Sequence, residues 1–214
     1  MRLAKLLPLV RRFPLPKKQP SRMELWIRLT PIDANGVRGE SVTYPSHSWV
    51  KAASRIMCVQ LGGVASLSVV DMGGTSRTVI PNANVFLVTP TLGTTSATFR
   101  GIVVGTGTTA EDRDDSALAT LIAEGTGSGQ LTHGAGSSSA APVAITGGYR
   151  LSITRTFTNS SGSAIVIGEI GLAFRNSVDA TAIGFLGIRD VLSATHSVAN
   201  GNSVLVEYLL DFLV

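Results

Sequence analysis

The chain has 214 residues, one cysteine and a formal net charge of +4, with 44% hydrophobic and 15% charged residues. This apolar content excludes a disordered polymer, the single cysteine excludes an internal disulfide framework, and the length suits one domain with a tail. A charged fraction so far below the roughly 25% of an average soluble domain indicates a surface that permits close contact between copies.

The first 22 residues differ in charge from the rest of the chain. They contain seven of the 18 Lys and Arg residues, no acidic residue and four of the nine prolines. The remaining 11 cations stand against 14 acids, which leaves the body with a net charge of −3. Because proline fixes φ and removes a backbone donor, residues 1–22 are predicted to form an extended basic arm. Its cations are Arg2, Lys5, Arg11, Arg12, Lys17, Lys18 and Arg22.

The arm also carries seven large apolar residues, which a purely solvated tail does not need. We therefore expect it to bind a neighbouring subunit or nucleic acid through the seven cations. A five-residue apolar run ended by Arg11 is too short for a secretory signal, and the prolines disfavour a transit peptide. The sequence also lacks the run of about 18 apolar residues that a transmembrane helix requires. The seven apolar residues are Leu3, Leu6, Leu7, Leu9, Val10, Phe13 and Leu15.

The first part of the body is predicted to contain short strands and one helix. Leu25–Thr30 is a strand ended by Pro31, and Asn35-Gly36 is a turn. Trp49–Leu61 has apolar residues at three- and four-residue spacing, serines before it and glycines after it, which predicts an amphipathic helix with a Ser cap. Further predicted strands are Leu67–Asp71, Thr78–Ile80, Val85–Val88 and Thr98–Val104.

Two segments in the middle of the chain depart from this β pattern. Asp114 and Asp115 suit a helix N-terminus and predict a short helix through Ser116–Ala123. Residues 125–141 contain five glycines and four serines, which predicts a flexible loop.

The last third of the chain has the clearest strand signal. Leu151 to Phe157 alternate with hydroxyl-bearing residues, which predicts a half-buried strand in Gly148–Asn159. A turn at Asn159–Gly162 then predicts a hairpin with Ala164–Phe174, in which Val166, Ile170, Leu172 and Phe174 share one face.

Gly168 and Gly171 in that second strand predict a bulge or a close approach of two backbones. A second hairpin is predicted from Val191–Val198 and Val204–Val214, which flank Asn200-Gly201. Glu207 and Asp211 interrupt the apolar final strand, which we expect to be covered or paired. Short strands separated by turn residues predict a mainly β fold, either an antiparallel sandwich or a barrel, spanning residues 23–214 as one domain.

The sequence contains no recognisable catalytic, cofactor or metal pattern. Gly105-Thr106-Gly107 lacks the third glycine and the lysine of nucleotide loops, so a plain turn is predicted. The acidic cluster 111–115 lacks the terminal glutamate of a calcium loop and is predicted to be solvated. Cys58 is predicted to be a buried, inert thiol.

The histidines at positions 47, 133 and 196 lack zinc-ligand spacing and are predicted to be surface or packing residues. Asn159-Ser160-Ser161 has the form of a glycosylation site and is interpreted as a turn. We therefore expect no enzymatic activity, no catalytic residues, no cofactor and no metal.

Six segments of turns and strand ends together resemble a pattern that recurs in structural proteins of tailed bacteriophages. The resemblance covers about residues 40–214 and leaves the arm outside. It implies a virion subunit made in the host cytoplasm, with copies of itself and other virion proteins as partners and no membrane contact. The segments are Gly101–Ala110, Asp115–Ile122, Gly129–Leu131, Arg155–Gly162, Gly168–Leu172 and Arg189–Leu192.

The sequence thus favours a structural component of a phage capsid or tail that assembles in many copies. Its sheet and loop surfaces would pack against other copies, and the arm would bind an acidic groove of a neighbour or packaged DNA. The alternative is a receptor- or glycan-binding module at a tail tip, with residues 125–141 as its binding loop. An aromatic content of only 6% is unfavourable for sugar contact.

Overall fold

The computed structural model describes residues 22–46, 48–81, 100–139, 141–176 and 183–214. The predicted mainly β fold is confirmed, and all strand pairs are antiparallel. The predicted strand Val85–Val88 lies outside the described residues, as does His47. The elements are β1 (Arg22–Ile32), β2 (Val42–Ser46), α1 (Lys51–Gln60), β3 (Leu67–Val70), β4 (Ser76–Val79), β5 (Gly101–Gly105), β6 (Thr132–Ser138), β7 (Val143–Ile145), β8 (Gly148–Thr158), β9 (Ile165–Asn176), β10 (Ile183–Val198) and β11 (Ser203–Leu213).

The strands form two sheets and a ribbon. The large sheet has the order β2-β1-β11-β8-β6, with β7 also paired to β8. The small sheet has the order β10-β9-β5, and β3 and β4 form a separate two-stranded ribbon. Since β11 lies between β1 and β8, the apolar final strand is paired on both sides, as expected from its composition.

The two sheets pack face to face, so the fold is a sandwich. Alternate residues of the large sheet, including Ile27, Phe157 and Val206, point inward and are fully buried. They belong to the same core cluster as Ile102 and Ile170 of the small sheet. Period-two alternation in antiparallel strands produces this one-sided burial.

A third layer covers the other face of the small sheet. Helix α1 contributes Ile56 and Val59 to a second core cluster, which they share with Val103 of β5 and Phe185 of β10. The small sheet is therefore buried on both faces around β5, every residue of which is buried. A strand buried on both faces lacks polar alternation, which explains the continuous apolar run in β5.

Both predicted hairpins are wrong, because each pair of strands is divided between the sheets. Strand β8 lies in the large sheet and β9 in the small sheet, and β11 and β10 are divided in the same way. The predicted turns are present, with φ of 87° at Gly162 and 85° at Gly201, conformations that favour glycine. They form two arches that cross from sheet to sheet at one end of the sandwich, which we call the arch end.

Asn159 joins the two arches. Its fully buried amide nitrogen donates to the carbonyl of Ser163 at 2.8 Å and to that of Val198 at 2.7 Å. Its Oδ1 accepts from the backbone and the hydroxyl of Ser161. Gly162 N in turn donates to Asn200 Oδ1 at 2.9 Å. The glycosylation-like triplet is therefore a turn, as predicted, with the Asn159 amide buried and engaged.

Helix α1 begins without the predicted Ser cap. Val50 occupies the cap position with no side-chain hydrogen bond, and Lys51 N donates to the carbonyl of Arg113 at 2.6 Å. The end is as predicted, since Gly62 has φ of 77° and donates to the carbonyl of Val59. The predicted apolar face holds except for Leu61, which is 85% exposed.

The predicted short helix through Ser116–Ala123 does not form. Its backbone pairs with β5 instead, because Ile122 N donates to the carbonyl of Val104 and Thr106 N donates to that of Thr120. Long-range hydrogen bonds thus replace the local ones of a helix. Part of the predicted flexible loop 125–141 is also a strand, since residues 132–138 form β6.

The predicted bulge lies opposite Gly168. The register between β9 and β10 shifts between Val191 and His196, and the shift reverses the side-chain parity of β9. Val166 is consequently 44% exposed, which corrects the prediction that it shares a face with Ile170. A Cβ on Gly168 would lie 2.6 Å from the carbonyl oxygen of Gly107, so the predicted close approach is also confirmed.

Candidate functional site

Among the predicted contact cations of the arm, the structure describes Arg22, the first residue of β1. Its Nε lies 2.9 Å from Glu24 Oε1, and both side chains are solvent-accessible. An exposed pair of this kind adds little stability. The other six contact cations, Arg2, Lys5, Arg11, Arg12, Lys17 and Lys18, lie outside the described residues.

The arm joins the body at the end of the sandwich opposite the arches, which we call the open end. Strands β1 and β8 begin there and β11 ends there, with Arg22 opposite Leu213 and Leu213 opposite Gly148. At this end the inner face of the large sheet continues beyond the buried core. It carries two successive rows of apolar side chains.

The first row, the inner row, consists of Leu25, Leu210 and Leu151, which are directly opposite one another on three neighbouring strands. The second row, the end row, consists of Met23, Phe212 and Tyr149 in the same register. These end-row residues have the parity of the core residues but are 48%, 39% and 55% exposed, respectively. The sandwich therefore leaves apolar surface uncovered at its open end.

A groove of about 440 Å³ opens between the sheets beside these rows. The large sheet supplies one wall through Met23, Leu151 and Leu210, and the small sheet supplies Leu172 and Phe174. Among the described lining residues, three serines supply polar side chains, and a groove with this lining suits apolar side chains. The remaining lining residues are Trp49, Met57, Ser138, Ser139, Ser152 and Ile153.

The outer face of the large sheet carries cross-strand ion pairs beside apolar residues such as Trp26 and Leu209. Arg28 makes a bidentate pair with Glu207, and Arg150 makes one with Asp211 across neighbouring strands. The hydrogen bonds that Arg28 donates to Glu207 raise the pKa of Arg28 against the opposing effect of burial. These pairs place both acids of the final strand opposite cations, which explains their place in an otherwise apolar run.

A buried ion pair anchors the loop after β5 to the small sheet. Arg189 Nε donates to Glu169 Oε2 at 2.8 Å, and Arg189 Nη1 donates to Asp115 Oδ2 at 2.7 Å. Glu169 also accepts from the backbone of Ala119 and Thr120, at 3.0 and 2.7 Å. Burial opposes the charge of Arg189, but the two acids outweigh burial and raise its pKa.

The glycines of the Gly105-Thr106-Gly107 turn fit against this pair. A Cβ at Gly107 would lie 2.4 Å from Glu169 Oε1, and one at Gly105 would lie 2.6 Å from the same atom. Gly107 N donates to that oxygen at 3.2 Å. The predicted plain turn is thus present, and its glycines allow the backbone to approach an internal carboxylate.

The acidic cluster is only partly the solvated loop that was predicted. Asp114 is exposed and pairs with Lys51, and the hydrogen bond from Lys51 lowers the pKa of Asp114. Glu111 instead accepts from Val191 N at 2.6 Å, and Asp115 pairs with Arg189. These two carboxylates hold the loop to β10, so their contacts are internal to the protein.

His133 is a packing residue, as predicted, and it is fully buried. Its ring meets Phe157 edge to face at a centroid distance of 5.0 Å, and its nitrogens make no hydrogen bond within the described part of the chain. Burial and the nearby charge of Arg155 lower the pKa of His133 to about 4. His196 is half-buried, and burial lowers its pKa as well.

Arg155 fills the core position that its place in the apolar alternation predicts, and it is 1% exposed. It donates to the carbonyls of Gly134 at 2.9 Å and Ile102 at 2.9 Å, and it lies over the ring of Phe157. It therefore links β6, β8 and β5 across the core. Burial lowers the pKa of Arg155.

Cys58 is exposed on α1, which corrects the prediction of a buried thiol. The helix turns Ile56 and Val59 inward and leaves Cys58 on its outer face. Nowhere in the described residues do three or more His, Cys, Asp or Glu side chains meet as metal ligands. The described helix is not long and apolar enough to cross a membrane.

Sequence reasoning missed the groove and its two apolar rows. Their signal is present in the alternation of Met23, Leu25 and Ile27, but it becomes visible only when the strand register is known. Comparison of the chain with protein-family models, with curated proteins and with solved structures finds no match.

Proposed function

We propose that the protein is a structural component of a bacteriophage virion that assembles in many copies on the capsid or tail. The observation that carries the proposal is the uncovered apolar surface at the open end, next to the strand from which the arm leaves. Met23 in its end row is 48% exposed and follows the last arm residue, Arg22. Apolar surface exposed in an isolated chain is typical of protein interaction sites.

The rest of the body supports a passive, rigid role. Its charges are largely satisfied internally, through Arg28–Glu207, Arg150–Asp211 and the Glu169–Arg189 pair. Of these pairs, Glu169–Arg189 lies in segments that carry the sequence resemblance to tailed-phage structural proteins. We expect sheet and loop surfaces to contact neighbouring copies and the arm to extend across an interface.

The test is incorporation into particles. Val214 is 72% exposed, so a short peptide tag can follow it without entering the core. We expect the tagged full chain, expressed during phage growth, to co-purify with particles at a fixed stoichiometry and to appear as a repeating feature by electron microscopy. Absence from purified particles, together with a strictly monomeric chain at high concentration, would contradict the proposal.

A further inference from the structure

The groove at the open end and the apolar part of the arm have matching chemistry. The groove is lined by aliphatic and aromatic side chains, with serines as its polar members. The arm offers five large aliphatic residues within positions 3–10, and no acidic residue, for such a surface. Covering both removes apolar surface from water, which is the dominant favourable contribution to association.

The position of the arm identifies it as the occupant. It enters the large sheet at Arg22, directly before Met23, which lies in the end row and lines the groove. Assembled copies that bring two open ends together therefore bring arms and grooves together. This inference rests on the proposed function, since it requires neighbouring copies.

The spacing of the prolines favours the groove of another copy over the chain's own groove. Pro14, Pro16 and Pro20 separate Val10 from Arg22, and no glycine precedes Gly36. Proline-rich segments favour an extended conformation of about 3.1 Å per residue, which gives roughly 37 Å between Val10 and Arg22. Residues 3–10 would then lie well beyond the groove that adjoins their own Met23.

We propose that the groove of each copy binds residues 3–10 of the arm of a neighbouring copy. The donor segment and the acceptor groove differ, so the contact is head-to-tail unless two copies exchange arms reciprocally. Head-to-tail contacts close into rings when the rotation permits and otherwise extend as open arrays. The geometry therefore connects the arm to the repetitive architecture of a particle.

The test uses full-length chains that carry one cysteine each in a Cys58→Ser background. One chain carries Leu7→Cys in the arm, and the other carries Ser138→Cys, an exposed groove-lining position. We expect mild oxidation of the mixture with diamide to give a disulfide-linked heterodimer. The matched control is Ser160→Cys, an exposed serine at the arch end, and we expect at least about tenfold less product because proximity raises effective concentration.

A second pair of variants tests whether the apolar end row contributes to the contact. Met23→Glu places a charge in the end row at an exposed position, and Met23→Leu keeps the row apolar. We expect Met23→Glu in the Ser138→Cys chain to reduce the heterodimer yield at least about fivefold, because a charge is disfavoured in an apolar contact, and Met23→Leu to preserve it. Equal yields for the two variants would overturn the proposal.

The outcomes separate this inference from the proposed function. An intramolecular disulfide in a chain with both Leu7→Cys and Ser138→Cys, without heterodimer in the mixture, would show that the arm covers its own groove and would overturn the proposal. Oligomers that form without either disulfide would show that copies assemble through another contact, which would overturn the proposal but leave assembly intact. Monomers throughout would overturn both.

Discussion

Arg189 Nε donates to Glu169 Oε2 at 2.8 Å, and the two side chains are 2% and 0% exposed. Both residues belong to segments that carry the resemblance to phage structural proteins, Gly168–Leu172 and Arg189–Leu192. The Glu169 carboxylate also accepts hydrogen bonds from backbone donors of the loop after β5. The pairing therefore explains why these two segments need an acid and an arginine for structural reasons. The pair therefore stabilises the fold through contacts within the protein.

Removing the negative charge of this pair is expected to destabilise the fold. Glu169→Gln leaves Arg189 buried with only Asp115 as a charged partner, and breaking a buried pair costs about 3 kcal/mol or more of unfolding free energy. Urea unfolding measures the change. The control, Glu24→Gln, removes the exposed partner of Arg22 and is expected to change stability by less than about 0.5 kcal/mol. An equal effect of the two substitutions would contradict the structural role of the buried pair.

The arch end offers a matched pair of asparagines. Asn159→Asp replaces a buried amide that donates to two carbonyls with an acceptor-only group, and we expect a loss of about 2–3 kcal/mol in unfolding free energy at neutral pH. Asn200→Asp keeps the oxygen that accepts from Gly162 N, and it is exposed. We expect it to change stability by less than about 0.5 kcal/mol. Thermal or urea unfolding distinguishes the two variants. An unfolding free energy unchanged by Asn159→Asp would refute the role of Asn159 in joining the arches.

The lowered pKa of buried His133 predicts that the free energy of unfolding declines in mild acid. Its pKa is lowered from 6.5 to about 4 in the folded chain, so the unfolded chain binds the additional proton between these values. The contribution of neutral His133 is fully present above pH 6.5, is lost progressively as pH falls toward 4 and then levels off. The total is on the order of 3 kcal/mol.

The measurement is urea unfolding at several pH values from 7 to 4, and His133→Phe is expected to flatten most of the slope in this window. His196→Gln serves as the comparison, because burial also lowers the pKa of half-buried His196. It is expected to leave the contribution of His133 in place. An unchanged slope in His133→Phe would show that other groups cause the acid sensitivity.

The arm cations distinguish packaged DNA from an acidic protein neighbour. Replacing Arg11, Arg12, Lys17 and Lys18 by Gln is expected to reduce the salt dependence of duplex DNA binding by roughly 3 to 4 in the log–log slope, since each phosphate contact contributes about 0.9. The control replaces four exposed body cations, Arg38, Lys51, Arg55 and Arg113, and is expected to leave the slope unchanged. Filter binding over a salt series gives the slope, and loss of particle incorporation without any DNA binding would identify an acidic neighbour instead.

Local patterns in the sequence predict most of the strands. The alternation from Leu151 to Phe157 and the turns at Gly162 and Gly201 are confirmed, because they depend on side-chain period and on local φ. The assignment of strands to sheets is not local. A turn that returns to the same sheet and an arch that crosses the sandwich use similar residues, so both hairpins were mispredicted.

The same limit applies to the candidate site. The basic, proline-rich arm is evident from composition alone, but the groove depends on the register that places Met23 opposite Phe212 and Phe212 opposite Tyr149. The buried partners Glu169 and Arg189 are 20 residues apart and have no spacing signal of their own. The failed helix at Ser116–Ala123 has the same cause, since distant groups take its backbone donors.

The pairing of β1 with β11 affects when the protein becomes competent to bind. Arg22 is opposite Leu213, so the large sheet closes only after the last strand has left the ribosome. Such long-range pairing is slow compared with local folding. Leu210 of β11 forms one wall of the groove together with Met23 of β1. A nascent chain that has not yet paired β11 therefore has an arm but an incomplete groove. Under the proposed arm contact, this strand order delays binding between copies until β11 of each subunit has paired.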